Sequence, residues 1–283
     1  GKSIPNIPLV VLCRFFGNSF ALKDTYNDGK LPYLRELLRH SLVDVAAEAW
    51  NDTAPSHLFE IFHLYWENLR RSLLVGEGIG LQSFYCVPGS QCILSTELVE
   101  LRLPFKPKSA GVSTVESLKA FINATKHSKE EFLNRMFRGC ETNDPIDSFY
   151  FELLPNNQLL LVVIENKYRE RNSGTTVTTK VIIDKHGHLM DILFEGEMSK
   201  TWSVGDEVYT LTSDHVVLVV ASYQILPTIA ALKTAAKDVD DFNVILMGEH
   251  QLMEFYPPTL MPIPLLWMTK RTSPVATSVK KGK

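Results

Sequence analysis

The stretch PIDSFYFELL (residues 145–154), followed by PNNQ (155–158) and LLLVVIENK (159–167), decides the fold of this chain. The first and third segments are rich in aromatic, β-branched and leucine residues, which is typical of β-strands. The middle segment has the proline and asparagines that favour a turn, so the two strands are predicted to pair as a hairpin. Six successive apolar residues before Glu165 indicate a strand that is buried on both faces of a sheet.

Three charged side chains stand at one end of this predicted hairpin. Asp147 opens the first strand, and Glu165 and Lys167 close the second. Because side chains alternate between the faces of a strand, Glu165 and Lys167 are predicted to point to the same side. Two carboxylates and an ammonium at the end of a buried sheet could hold Mg²⁺ or a similar hard cation. A solvated cross-strand ion pair is the other interpretation, because charged residues often end strands where a sheet meets water.

Composition places the chain among globular proteins. Its 283 residues are 45% hydrophobic and 22% charged, which suits either one large core or a core with a smaller appendage. The net charge of -3 excludes a global positive field, so any contact with nucleic acid must come from a local basic patch or through bound metal ions. The four cysteines show no zinc spacing and no Cys-x-x-Cys pair, which favours free thiols in a reducing compartment.

Neither a membrane span nor a secretory signal is apparent in the sequence. No apolar run approaches the ~18 residues that a spanning helix needs, and the first residues lack the layout of a signal peptide. We therefore expect a soluble, intracellular protein without a membrane partner. Its oligomeric state does not follow from the sequence.

The chain is predicted to have three parts. Residues 1–54 have leucines at helical spacing but are too few to fold alone, so they form either an appendage or the end of an upstream domain. Residues 55–269 form the main domain. Residues 270–283 are rich in Lys, Ser, Thr and Pro and are predicted to be a disordered basic tail, either plainly flexible or in contact with a polyanion.

The main domain is predicted to open with an amphipathic helix over residues 56–74. Glu60 follows Phe59 near the apolar stripe of this helix. It is either an acid of the first turn, stabilised by the helix dipole, or a site residue. The other predicted elements are a strand at 96–103, two helices between 113 and 138, a polar loop at 168–174, a hairpin of 177–183 with 189–194, and a strand–helix–strand crossover over 216–247.

The order of these features resembles the PD-(D/E)xK nuclease superfamily: a helix bearing Glu60, a strand, a strand opened by Asp147 and a strand closed by Glu165-Asn166-Lys167. A closer resemblance, over about residues 55–265, is to the nuclease-like domain of Crinkler effectors and retrotransposon hot spot proteins. The segments that carry it are Leu58-Phe59-Glu60, Val162-Val163-Ile164-Glu165-Asn166-Lys167, Asn243-Val244-Ile245-Leu246 and Phe255-Tyr256-Pro257-Pro258-Thr259-Leu260.

The resemblance implies an α/β fold with a restriction-endonuclease-like mixed sheet flanked by helices, and a Mg²⁺- or Mn²⁺-dependent nuclease that cleaves DNA. Metal ligands would be Asp147, Glu165, the backbone carbonyl of Asn166 and Glu60. Lys167 would orient the attacking water or stabilise charge on the phosphate. The polar loop that follows, which could equally be only solvated, has Arg169 and Arg171 as candidates to grip the flanking phosphates of nucleic acid.

The resemblance also implies partners and leaves alternatives open. In that family a P-loop ATPase module often precedes the domain, so residues 1–54 could be its remnant, although the chain has no P-loop motif. A nuclear location is implied in the same way. The helix usual after Glu-x-Lys is not apparent, and some members of such families have lost activity. A catalytically inactive domain that binds nucleic acid or a nuclear protein, or a purely structural module attached to an ATPase, therefore remains an alternative.

Overall fold

The structure is a computed structural model. It describes residues 59–60, 63–64, 66–68, 70–71, 74, 78–103, 109–113, 133, 135–139, 146–167, 176–204, 206–239 and 241–256. The predicted segments 1–54 and 270–283 lie outside the described residues. So do Arg169 and Arg171 with the rest of the polar loop.

The described residues include the following strands and α-helices. The strands are β1 (Ile79–Gly80), β2 (Cys92–Ile93), β3 (Arg102–Leu103), β4 (Ser109–Ser113), β5 (Arg135–Gly139), β6 (Ser148–Leu153), β7 (Gln158–Lys167), β8 (Ser199–Val204), β9 (Glu207–Ser222) and β10 (Val244–Met247). The helices are α1 (described positions within 59–71), α2 (Leu81–Phe84), α3 (Thr96–Glu100), α4 (Thr179–Phe194), α5 (Ile229–Ala235) and α6 (Glu249–Phe255).

A mixed eight-stranded sheet forms the centre of this α/β fold. Its strand order is β2-β10-β9-β7-β6-β5-β4, and β8 pairs with β9 outside that path. The predicted hairpin is confirmed, because β6 and β7 are antiparallel with Ser148 opposite Ile164. The turn between them contains Asn156 and Asn157 at positive φ angles of 60° and 57°, which asparagine tolerates better than most residues.

The predicted strand–helix–strand crossover is also confirmed. Strand β9 is followed by α5 and then by β10, which pairs with β9 in parallel. Strand β7 lies parallel to β9 on the other side, with Glu165 opposite Val220 and Lys167 opposite Ser222. Strands β7, β9 and β10 are parallel to one another, so their carboxyl ends lie at the same edge of the sheet. The side chains that follow each buried strand meet at this edge.

Helices cover both faces of the sheet and give it two cores. On one face, α1, α2 and α6 bury Phe59, Phe84 and Phe255 against alternate residues of β7 such as Val162 and Ile164. On the other face, α4 and α5 cover the intervening residues. This second core contains Leu161, Val163, Ile182, Leu189, Leu193, Leu218, Val220 and Leu232. Central strands covered on both faces explain why β7 is apolar without alternation.

Two of the predicted elements are wrong near the start of the domain. Residues 96–103 do not form one strand, since Thr96–Glu100 is helical and only Arg102–Leu103 is extended. The acidic residues there suit a short helix whose Leu98 side chain is buried. Helix was predicted as far as residue 138, but Arg135–Gly139 is a strand and supplies the neighbour of β6. Most of the remaining 113–138 region lies outside the described residues.

The predicted hairpin over residues 177–194 is wrong, because Thr179–Phe194 is a single helix. The Thr178 side chain accepts a hydrogen bond from the backbone N–H of Val181 at 3.3 Å, which caps the helix. Ile182, Leu189 and Leu193 recur at helical spacing and are buried against the sheet. Within the described residues, no helix is long and apolar enough to cross a membrane.

Truncation of a residue on the central strand should destabilise the protein. Leu161 is fully buried on β7, so we expect Leu161→Ala to lower the free energy of unfolding by about 2–5 kcal/mol through lost burial and a cavity. Ile225, which is 75% exposed, provides the control, and Ile225→Ala should change the free energy by less than about 0.5 kcal/mol. Urea denaturation measures both values, and equal losses would contradict the core position of Leu161.

Candidate functional site

The candidate site lies at the carboxyl end of β7, on the face of the sheet that α4 covers. By strand alternation, Glu165 and Lys167 share this face with Val163 of the second core. Since Ser148 pairs with Ile164, the next residue outward on the first strand, Asp147, stands beside Glu165. The register of one hairpin therefore brings together the three charged residues that the sequence singles out.

Asp147 is fixed at the point where pairing between β6 and β7 ends. Its Oδ2 accepts a hydrogen bond from the backbone N–H of Asn166. A backbone N–H that donates to a carboxylate makes a charge-assisted bond, which is stronger than a bond between neutral groups. The Asp147 carboxylate is therefore held against β7 by the main chain and does not depend on a flexible side-chain partner.

The surroundings of Asp147 raise its pKa well above the usual range for an aspartate. Burial is the largest cause, and the negative charges of Glu165 and Glu60 add to it. The Asn166 N–H and the Lys185 ammonium act in the opposite direction but do not cancel the shift. Glu60 of α1 is thus within electrostatic range of Asp147, and its role as a site residue stays a prediction.

Glu165 has an ammonium group on each of its oxygens. Lys167 Nζ pairs with Oε1, and Lys185 Nζ donates a hydrogen bond to Oε2 at 2.6 Å. The Glu165 side chain is only 3% exposed, whereas those of Lys167 and Lys185 are 33% and 23% exposed. A carboxylate buried to this extent would be very unfavourable without cations. The two lysines supply that compensation while they keep part of their own hydration.

Lys185 is the site residue that the sequence reasoning missed. It lies on α4, in the segment that was predicted to be a hairpin, so no reason existed to place it at the sheet edge. The available signal was the spacing of Ile182, Leu189 and Leu193, which marks a helix buried along one side. Lys185 lies one turn after Ile182, beside that stripe, and this places it over the carboxyl end of β7.

The donor set fits a hard divalent cation that is held only partly by protein. Asp147 and Glu165 are adjacent carboxylates, and Mg²⁺ usually binds one or two carboxylates together with water and substrate phosphate. Among the described residues, no three His, Cys, Asp or Glu side chains lie close enough to form a complete cage. Both Glu165 oxygens are paired with lysines, so a cation could reach this carboxylate only after a lysine released it.

Asn166 occupies a different position from its neighbours. By strand alternation its side chain lies on the α1 face, where it is buried, and its Oδ1 and Nδ2 form no hydrogen bond within the described part of the chain. The side chain is therefore not part of the charged cluster. The predicted ligand role of the Asn166 backbone carbonyl stays a prediction.

Comparison with known proteins gives no family assignment for this chain. No protein-family model matches the sequence, and no curated protein or solved structure is significantly similar to it. Function must therefore be inferred from the geometry of the Asp147–Glu165 cluster.

The raised pKa of Asp147 predicts a pH-dependent cost in stability. The folded state keeps the Asp147 proton to higher pH than the unfolded state does, so stability falls as pH rises from about 4, the ordinary pKa of Asp, through the folded-state pKa. The variant Asp147→Asn removes the charge and keeps an oxygen for the Asn166 N–H. We expect it to unfold at higher urea concentration than wild type at pH 7, with EDTA present.

This stability gain should shrink as the pH falls toward about 4 and should vanish below it, where wild-type Asp147 is protonated in both states. Asp184→Asn on the exposed side of α4 is the control and should change stability little at either pH. A variant Asp147→Asn that is no more stable than wild type at pH 7 would contradict the arrangement of charges described here.

Proposed function

We propose that this protein is a metal-dependent nuclease that hydrolyses phosphodiester bonds in DNA. The observation that carries the proposal is the meeting of Asp147 and Glu165, with Lys167 and Lys185, at the carboxyl end of the central strands. Paired carboxylates and ammonium groups supply what phosphate hydrolysis needs, namely cation ligands and positive charge near the developing oxyanion.

The carboxylates are the groups that would hold the cation. Asp147 and Glu165 would ligate Mg²⁺ or Mn²⁺ directly. Glu60, whose charge acts on Asp147, would bind the ion through water, because no three acids of the described residues lie close enough to ligate one ion together. When bound, the ion would polarise the scissile phosphate and lower the pKa of a coordinated water. The raised pKa of Asp147 in the metal-free protein fits this role, since a cluster that repels its own charges gains most from a cation.

The two lysines would change partners as the site fills. In the metal-free protein they neutralise Glu165, with Lys167 on one oxygen and Lys185 on the other. If a cation were bound by the carboxylates, an ammonium group released by Glu165 could contact the phosphate. Lys167 would orient the attacking water, and Lys185 would stabilise negative charge on the non-bridging oxygens.

The DNA contacts, the partner and the location of the protein are proposed from its resemblance to the PD-(D/E)xK superfamily and to the Crinkler and retrotransposon hot spot proteins. Arg169 and Arg171 would grip the flanking phosphates of DNA just beyond β7. The domain would act beside an upstream ATPase module or another protein partner, in an effector that reaches the nucleus. The α4 helix after Glu165-Asn166-Lys167 supports this resemblance, because the family usually has a helix at that place.

Cleavage of DNA tests the proposal directly. Purified protein should cut DNA with Mg²⁺ or Mn²⁺ and should stop when EDTA is added. Asp147→Asn, Glu165→Gln and Lys167→Met should each lower the cleavage rate by at least about 100-fold. Lys185→Met should also lower it, whereas Lys180→Met, on the exposed side of the same helix, should not. Equal cleavage by wild type and all of these variants would show that another site or a contaminant is responsible.

Metal binding can be measured without any substrate. A cation that binds only the folded state raises the free energy of unfolding, by about 2.7 kcal/mol at one hundred times its dissociation constant. We therefore expect Mn²⁺ to raise the thermal midpoint of wild type and to leave that of Asp147→Asn unchanged. The variant thus gains stability in EDTA but loses the response to metal, a combination that simple damage to the fold would not produce.

A non-catalytic scaffold is the second candidate, and one observation favours it. Both oxygens of Glu165 are paired with lysines, so the charge of the cluster is already neutralised in part without metal. Such a protein would bind nucleic acid or a nuclear protein and would not cleave. It predicts no effect of Mn²⁺ on the thermal midpoint, whereas the nuclease proposal requires one.

A further inference from the structure

A cavity lies beyond the carboxyl ends of β9 and β10, at the same edge of the sheet as the candidate site. Its volume is about 500 Å³, which is within the range of small-molecule sites. Among the described residues, its walls come mainly from the segments that follow the two strands, 223–229 and 248–251, and from Ser90 and Gln91 just before β2. Open α/β sheets usually bind ligands in the crevice outside the carboxyl ends of their parallel strands.

Hydrogen bonds connect the wall of this cavity to the end of β7. The Ser222 hydroxyl donates to the backbone carbonyl of Lys167 at 2.9 Å, and the backbone N–H of Gln224 donates to the same hydroxyl oxygen at 2.9 Å. Neighbouring strands lie about 4.8 Å apart, so the cavity beyond β9 and β10 is about 5–10 Å from the end of β7. The cavity and the candidate site are therefore close enough to hold neighbouring parts of one ligand.

Three side chains of the cavity wall have a buried polar atom that makes no hydrogen bond within the described part of the chain. These atoms are Oε1 of Gln91, the hydroxyl oxygen of Tyr223 and Nε2 of Gln224. The first can accept a hydrogen bond, the third can donate one, and the tyrosine hydroxyl can do both. Buried polar groups without partners are rare, because nothing compensates the loss of their hydration. Their concentration at one cavity favours a ligand that has both donors and acceptors.

The charges of the cavity wall disfavour a phosphate group as the occupant. The described lining residues include no Lys or Arg, and Glu249 adds a negative charge. The imidazole of His250, which also lines the cavity, lies 3.6 Å from the carboxylate of Glu254. A phosphate would therefore stay at the lysines of the candidate site, where positive charge is concentrated. The cavity suits an uncharged group of the same ligand.

The rest of the wall combines apolar surface with amide groups, which suits a flat aromatic base. Leu226 and Leu246 offer apolar contacts to a ring, and Gln91 and Gln224 offer hydrogen bonds to its edge. Glutamine amides turn about a soft terminal torsion, so they can adapt to a ligand. A glutamine binds adenine through two hydrogen bonds, and a carboxylate such as that of Glu249 accepts one from the amino group of cytosine. Thymine has no amino group to donate.

We propose that this cavity binds an unpaired adenine or cytosine base of the nucleic acid whose phosphate lies at the candidate site. The inference rests on the proposed function, because it takes the ligand of that site to be nucleic acid. It does not require cleavage, since a non-catalytic scaffold would also bind a strand. The amino groups of paired bases are already hydrogen-bonded, so the ligand must be single-stranded at this base or must have the base turned out of the duplex.

Two substitutions change the cavity without removing a hydrogen bond between described side chains. Gly248 has φ and ψ angles of -78° and -176°, which any residue can adopt. A Cβ atom there would meet Gln251 Oε1 at 3.4 Å and Leu226 Cδ1 at 3.9 Å, and both residues line the cavity. Gly248→Val therefore narrows it. Gln224→Leu removes an amide of the wall, and Gln158→Leu, at the opposite end of β7, is the matched control.

Fluorescence anisotropy of short single-stranded thymidine oligonucleotides, in EDTA and at one salt concentration, tests the inference. The oligonucleotides differ only at the central nucleotide, which carries adenine, cytosine, thymine or no base. We expect wild type to bind the adenine and cytosine forms at least about fivefold more tightly than the other two. Gly248→Val and Gln224→Leu should lose most of this preference, and Gln158→Leu should keep it. Equal binding of all four forms by wild type, or a preference that survives in both cavity variants, would overturn the inference.

The same measurement separates this inference from the nuclease proposal. Asp147→Asn should keep the base preference, although it should not cleave DNA. A wild type that shows the preference but neither cleaves DNA nor responds to Mn²⁺ would refute the nuclease and support the cavity. A wild type that cleaves DNA without the preference, or that binds none of the oligonucleotides, would overturn the inference. If the thermal midpoint shows that Gly248→Val does not fold, Gln224→Leu decides.

Discussion

Burial of the Glu165 carboxylate at the end of β7 is the constraint on which the candidate site depends. A carboxylate that is 3% exposed must have cations or strong donors beside it, and the fold supplies Lys167 from the same strand and Lys185 from α4. Helix α4 therefore does more than cover the second core. Its Lys185 ammonium completes the neutralisation of Glu165 at the sheet edge, so the site exists only when α4 lies against β7.

The sheet separates two groups of charges with different tasks. On the α4 face, Asp147 and Glu165 meet at the edge of the sheet with partly exposed lysines, so the charges there can exchange partners. On the α1 face, Arg71 and Glu152 are enclosed and cannot. Exchangeable charges suit ligand binding, and enclosed charges suit alignment. Asp147, directly before β6, and Glu152 within it belong to different groups, because side chains along an extended chain alternate between the two faces.

A tension between stability and function follows from the same arrangement. Asp147 is placed where burial and neighbouring carboxylates disfavour its charged form, and the main-chain bond from Asn166 holds it there. Such a site is unfavourable by itself and would become favourable if the proposed cation bound there. Clusters of this kind are a common feature of functional sites, where local stability is lower than the fold could provide.

The sequence by itself determined the β6–β7 hairpin, the parallel β9 and β10 strands and the nearness of Asp147 to Glu165, because unbroken apolar runs and turn residues are local signals. The sequence was misleading for α4. β-Branched residues such as Ile182 and Ile183 favour strands, whereas packing against the sheet stabilises a helix. Only the tertiary structure brought Lys185 to Glu165 and Arg71 to Glu152, a pair 81 residues apart in the chain. Partners this distant leave no periodic trace in the sequence, since their meeting depends on how whole helices pack across a sheet.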